Sequence, residues 1–146
     1  MRISYKGDYA LKAMLDLAIN YNSELVTSHD LARRINAPIK FLEQVLLELR
    51  RGGFVESRRG NIGGYMLART PDKITVGEVV RYIDGPIEPI ACLKEKYANC
   101  TDINRCVFKR LWQKVYEATA DIIDNVTLEQ LASEVKQGSQ VLAYSI

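Results

Sequence analysis

Apolar residues recur along the first stretch of the chain at helical spacing. Tyr9, Ala13, Met14, Leu17, Ala18 and Tyr21 share one face, and Leu11, Leu15 and Ile19 fill much of the remainder. A helix over residues 4–21 that is apolar nearly all round is expected to touch partners on two sides. After the polar break Asn22-Ser23-Glu24, the run Thr27-Ser28-His29-Asp30 has the form of a capping box and opens a short helix through Ile35. Pro38 suits the first turn of the next helix, because its missing N–H has no intrahelical partner there. That helix runs to about Arg51, where Gly52-Gly53 ends it. It turns Phe41, Leu42, Val45, Leu46 and Leu49 inward and Lys40, Glu43, Gln44, Leu47, Glu48 and Arg51 outward. A short helix, a tight turn and a longer helix predict a helix-turn-helix.

The pattern then changes. Phe54–Arg59 and Tyr65–Leu67 are strand-like runs around Gly60-Asn61-Ile62-Gly63-Gly64, which predicts a hairpin with a glycine-rich tip and Arg58 and Arg59 at its base. A hairpin placed here turns the motif into a winged helix. Its glycines lack the strand-then-helix context of a nucleotide-phosphate cradle. Thr75 caps a further helix through about Asp84, with Val76, Val79, Val80 and Ile83 as its apolar stripe, and Gly85-Pro86 stops it. Residues 85–104 read as irregular, and a loop of that length in a compact domain usually carries function. From Arg105 to about Asp124 two apolar stripes adjoin: Val107, Leu111, Val115, Ala118 and Ile122 beside Phe108, Trp112, Thr119 and Ile123. Such a helix, roughly 30 Å long, is too broadly apolar for one partner and suits packing along a second copy of the chain. The plainer alternative is an ordinary core helix. Thr127 opens one last short helix, and residues 137–146 read as a loose tail. The expected fold is mainly α. It divides into a winged helix-turn-helix with a small β-hairpin wing (1–84), a cysteine-containing loop (85–106), and a long dimerisation helix with a short terminal helix (107–146).

Composition adds three things to this outline. With 146 residues and 47% hydrophobic content, the chain can bury a core without covalent staples. Lys12 and Asp16 interrupt the one apolar stretch near the N-terminus, so neither a signal peptide nor a membrane span is expected, and a cytoplasmic location is. The net charge of +2 is unevenly spread: between Arg33 and Arg69 there are 8 basic and 3 acidic residues. That local excess can meet a phosphate backbone, although such a run can also be only a solvated face.

All three cysteines fall between Cys92 and Cys106. An odd number of thiols, in a chain without signs of secretion, favours a thiolate ligand set over a disulfide framework. Zinc sites normally show closer pairs and a fourth Cys or His, whereas the gaps here are seven and five residues and the single histidine, His29, lies far upstream. Iron–sulfur ligation fits better, one ligand short. Three free or merely buried thiols are the plainer alternative. A thiol redox enzyme or cluster carrier is less favoured: the chain has no C-x-x-C, no cysteine–histidine pairing and no visible carboxylate pair.

These stretches together resemble the IscR-type winged-helix regulators, the iron–sulfur branch of the bacterial Rrf-two family of transcription factors. The resemblance covers most of the chain. It is carried by Lys6-Gly7, Tyr9-Ala10 and Ala13-Met14-Leu15-Asp16-Leu17-Ala18, by Phe41-Leu42-Glu43-Gln44, by Arg59-Gly60 with Gly63-Gly64-Tyr65-Met66-Leu67, by Val76-Gly77-Glu78-Val79, and by the three cysteines. It implies a homodimer joined through the long helix, binding double-stranded operator DNA. It also implies an iron–sulfur cluster on Cys92, Cys100 and Cys106, of the 2Fe-2S or else the 4Fe-4S type, whose state alters DNA binding and so controls cluster-assembly genes. Lys40, Glu43 and Gln44 would face the major groove, Arg59 the minor groove or phosphates, and Arg58 the phosphates. Glu43 could alternatively be an exposed charge paired with Lys40.

Two departures bear on the cluster, one at a ligand position and one in the seven-residue gap between Cys92 and Cys100, which is longer than in the best-known biogenesis regulators and leaves the 2Fe-2S and 4Fe-4S types open. The biogenesis regulators place a histidine three residues after the last cysteine, where this chain has Lys109. The nitric-oxide-sensing branch instead takes an aspartate from the partner's N-terminal region, and Asp8 stands at the matching place. Asp8 is therefore the expected fourth ligand, its ordinary alternative being charge complementarity at a helix start. A nitric oxide sensor, or a cluster-free regulator that binds an enzyme partner, are the rivals within the class.

Overall fold

The computed structural model describes residues 1–60 and 63–145, with side chains through residue 138. Helix α1 (Tyr5–Ile19) begins at Ser4, whose hydroxyl accepts from the Gly7 N–H at 2.9 Å. Its buried positions Ala10, Ala13, Met14, Leu17 and Ala18 form the centre of the core. The near-continuous apolar surface has the expected cause: α1 is packed on several sides at once, against four of the other helices.

Helix α2 (Ser28–Ile35) is capped by Thr27, whose hydroxyl accepts from Asp30 N–H at 3.1 Å. The reciprocal half of the expected capping box is replaced, because the Asp30 carboxylate turns to Arg33 at 3.0 Å. Asn36 in the left-handed region (φ 53°) closes α2 and permits the tight turn. Helix α3 (Ile39–Arg51) follows, with Pro38 as its cap rather than inside its first turn. Gly52 and the positive-φ Gly53 (75°) end it.

Strands β1 (Val55–Arg58) and β2 (Gly64–Leu67) pair antiparallel with Val55 opposite Leu67 and Arg58 opposite Gly64. Val26 extends this pairing by exchanging backbone hydrogen bonds with Tyr65 at 3.1 and 2.7 Å. The approach is close enough that a Cβ on Gly64 would lie 2.7 Å from the Val26 carbonyl oxygen, so glycine is required there. Helix α4 (Val76–Asp84) opens on a full capping box between Thr75 and Glu78 and stops at Gly85 (φ 86°).

Helix α5 (Val107–Asp124) leaves the body of the molecule. None of its residues is fully buried, and Val107, Phe108, Leu111, Val115 and Ile122 are 41–65% exposed. It is thus not a core helix of the single chain. Its end is tied back where Arg81 on α4 grips Asp124 with both guanidinium nitrogens, Nη2 at 3.0 Å. Gly77 leaves the space that the Asp124 carboxylate occupies, since a Cβ there would collide with it.

The terminal helix α6 (Leu128–Ser145) differs from the expectation of a short helix and a loose tail. Val76 N–H donates to the Val126 carbonyl and Leu128 N–H to that of Ile74, which returns the chain to the core beside α1. There Leu128 and Ala132 are buried among the N-terminal residues. The wing-bearing unit is therefore completed by side chains from the far end of the chain. No described helix is long and apolar enough to cross a membrane.

Candidate nucleic-acid interface and cysteine loop

Helix α3 is sharply two-faced. Leu42, Val45, Leu46 and Leu49 are fully buried, which forces Lys40, Glu43 and Gln44 outward on adjoining turns. Phe41, expected inside, is only half-buried and meets Tyr9 of α1 with its ring. Arg58 ends β1 and Arg59 begins the tip, and both are exposed. Glu43 forms no ion pair with Lys40 or any other described residue.

The fold also sorts the basic excess that the sequence holds between Arg33 and Arg69. Arg33 is engaged by Asp30 at 3.0 Å, Arg34 by Asp16 at 2.6 Å and Arg69 by Glu78 at 3.2 Å. Lys40, Arg50, Arg51, Arg58 and Arg59 have no acidic partner among the described residues, and all of them lie on α3 or the wing. Unpaired cations on a helix-and-wing surface are what a phosphate backbone requires. Arg50 adds a contact that the sequence reading missed: its Nη1 donates to Ser57 Oγ at 3.0 Å, tying the end of α3 to β1 and fixing the wing's angle. The turn at Gly52-Gly53 folds β1 back against α3 and brings the two residues together, a packing that the apolar period of neither element announces.

The second candidate feature is the loop between α4 and α5. Cys92 is half-buried in a short 3-10 turn (Ala91–Leu93), Cys100 is exposed, and Cys106 is half-buried at the cap position of α5; all three are free thiols. Among the described residues no three His, Cys, Asp or Glu side chains stand together as a metal-holding group. The loop supplies the donors but does not gather them within one chain.

Asp8 lies on the first turn of α1, away from the cysteine loop in sequence, and its Oδ2 is 2.7 Å from Lys12 Nζ. The hydrogen bond to Asp8 raises the Lys12 ammonium above its ordinary pKa. Asp8 also lines a cavity of about 730 Å³ with Arg2, Ser4, Tyr5 and Asp84. Asp84 accepts there from the Ser4 N–H at 2.9 Å and from its hydroxyl, which latches the start of α1 to the residue preceding the loop.

Lys109 lies on the first turn of α5, beside Cys106, Arg110 and Lys114 around a smaller cavity. The chemistry of the donors fits an iron–sulfur cluster: three thiols in no disulfide on one loop, with a carboxylate elsewhere as the weaker oxygen ligand. The loop holds one further donor that sequence reasoning missed. Glu88 Oε2 is buried and, among the described residues, has no hydrogen-bond partner.

A helix-turn-helix followed by a two-stranded wing, with five cations on α3 and the wing left without an acidic partner among the described residues, defines a winged-helix DNA-binding regulator. The chain belongs to the Rrf2 family, described as an iron-dependent transcriptional regulator, which matches residues 3–134. It is 35% identical to the HTH-type transcriptional regulator CymR of Bacillus subtilis over 91% of both chains. It is also 35% identical to the HTH-type transcriptional regulator IscR of Erwinia tasmaniensis, over 91% of this chain and 79% of that one. The solved structure of B. subtilis CymR, called in its description the global cysteine regulator, superposes with a TM-score of 0.78. That superposition is at 34% identity and covers 92% of this chain and 98% of the other.

Proposed function

We propose that this transcriptional regulator works as a homodimer whose DNA binding reports the state of an iron–sulfur cluster held by Cys92, Cys100 and Cys106, and that it controls cluster-assembly genes. The observation that carries the reading is the placement of three free thiols on the segment that joins the winged-helix unit to the uncovered apolar helix α5. A cluster there would sit where a change of loop conformation acts on both the DNA-binding unit and the subunit contact. The likeness to IscR supports the same reading.

The apolar stripes of α5 are the surface on which the second copy packs. Asp8 of one subunit serves as the fourth ligand of the other subunit's cluster, in the position where Lys109 offers no comparable donor while protonated. A carboxylate holds iron less firmly than a thiolate, which suits a sensor of the 2Fe-2S or 4Fe-4S type. The same ligand set supports nitric oxide as the signal.

An anaerobic absorption spectrum with iron and sulfide analysis tests this on freshly prepared protein. A thiolate-to-iron chromophore is expected, with most of the iron lost on replacing any one of Cys92, Cys100 or Cys106 by Ala while the helical content is kept. Full iron and sulfide in all three variants would end the assignment. The likeness to CymR, called the global cysteine regulator in its description, supports a second reading, a regulator whose signal is not a cluster. Colourless, iron-free protein that still binds operator DNA selects that one.

A further inference from the structure

We propose that Lys12 and Tyr9 are positioning residues that report the engagement of Asp8 to the recognition helix. The proposal rests on the reading of Asp8 as a cluster ligand and specifies how that site is regulated.

Asp8, Tyr9 and Lys12 occupy one turn of α1. Lys12 Nζ is 2.7 Å from Asp8 Oδ2 and 5.6 Å from the centroid of the Tyr9 ring, within the range of a cation–π contact. The Tyr9 ring in turn meets the ring of Phe41 edge-on, with centroids 5.6 Å apart and planes at 72°. Phe41 belongs to α3, next to Lys40 and one turn or less before Glu43 and Gln44. A contiguous row of side chains thus runs from Asp8 to the part of α3 assigned to the bases. Both aromatic rings are half-buried: packed enough to transmit a displacement, with room left to make one.

The other end of α3 is held separately. Glu48 takes an ion pair from Lys6 at 3.3 Å, and its carbonyl accepts from the Tyr82 hydroxyl at 2.9 Å. A shift at Phe41 therefore pivots the N-terminal half of α3 about a fixed C-terminal end, and the base-facing residues lie in the half that moves.

Asp8 has two competing uses. Lys12 engages its Oδ2 at 2.7 Å, and a carboxylate that gives up charge to iron through either oxygen holds that ammonium more weakly. With Asp8 bound to iron, Lys12 would be held less firmly by the carboxylate and would rest more on the face of Tyr9. The ring then settles differently against Phe41. With iron removed, Lys12 would keep its full hold on Asp8 through the 2.7 Å ion pair. The competition also sets how readily the cluster is lost.

The test compares full-length wild type with Lys12→Met, which keeps most of the side-chain stem and removes the charge, and with Tyr9→Leu, which keeps bulk and removes the ring. Cluster absorbance is followed under an iron chelator, and operator affinity is measured by titration in the loaded and the iron-free protein. Lys12→Met is expected to slow cluster loss by about two- to fivefold, the competition that an exposed ion pair exerts. In both variants the ratio of loaded to iron-free affinity moves toward one, with the helical content and melting temperature of the iron-free protein close to wild type. An unchanged ratio in either variant, or unchanged cluster loss in Lys12→Met, overturns the relay. Asp8→Ala separates the two failures. If it alters the cluster spectrum while Lys12→Met alters neither readout, Asp8 is a ligand without a relay; if it leaves the spectrum untouched, the ligand assignment falls and takes the relay with it.

Discussion

Arg59 and Glu43 are both exposed, without ionic partners among the described residues, and of opposite charge. Arg59 begins the wing tip, where an arginine entering a narrow minor groove gains from the enhanced negative potential. Arg59→Ala is expected to weaken operator binding and, if the contact is to phosphate, to lower the slope of log affinity against log salt by about one. A footprint titration across a salt series checks both; unchanged affinity removes the wing from the DNA. Glu43 faces the opposite problem, since a carboxylate near phosphates is a liability unless it reads a base. It can accept from a cytosine amino group and it penalises positions that present only acceptors, so it rejects sites as well as choosing them. Its lack of a Lys40 partner leaves it free for that task. A discriminating contact of this kind is worth about 1–3 kcal/mol, roughly tenfold or more in site preference. Glu43→Ala should therefore relax discrimination, so that loaded and iron-free protein select overlapping motifs from random DNA. Identical motifs from variant and wild type in both states would return Glu43 to the solvated surface.

The element that most needs a partner is α5. Its apolar side chains touch little of their own chain, with Phe108 63% and Ile122 65% exposed, yet its end is clamped by Arg81 on Asp124. Clamping the end of a helix whose face is bare sets its direction without covering it, which is how a docking strut is held ready for a second copy. Burying one such side chain contributes about 1.5–3 kcal/mol. Phe108→Asp with Ile122→Asp is expected to give a monomer in analytical ultracentrifugation with the circular dichroism of a folded winged-helix unit, because neither residue belongs to the core. A dimer that survives both changes would place the subunit contact elsewhere.

At the scale of the whole molecule, two surfaces and one loop divide the labour. Lys40, Arg50, Arg51, Arg58 and Arg59, without acidic partners among the described residues, lie on α3 and the wing, apolar residues uncovered by the fold gather on α5, and the three thiols lie on the segment that leads into α5. Helix α1 touches α2, α3, α4, α6 and β2, so a change at either surface meets the same central element.

Much of this was determined by local sequence. The period of the apolar residues, Thr27 and Thr75 as caps, Gly52-Gly53 and Gly85 as stops, and the glycine-rich turn placed the elements almost to the residue, because capping, backbone freedom and helical period are short-range effects. The outward faces of α3 and α5 followed for the same reason. Tertiary structure decided what depends on distant partners. It carried the start of α6 back to the core through Val76–Val126 and Leu128–Ile74 pairing, and it continued that helix through Ser145 where a loose tail was expected. It chose which arginines are neutralised and joined Arg50 to Ser57. It also set Lys12 between Asp8 and a ring that leans on α3. Each of these is a contact between positions brought together by the fold, or a choice among competing partners, and periodicity along a single element carries no information about either.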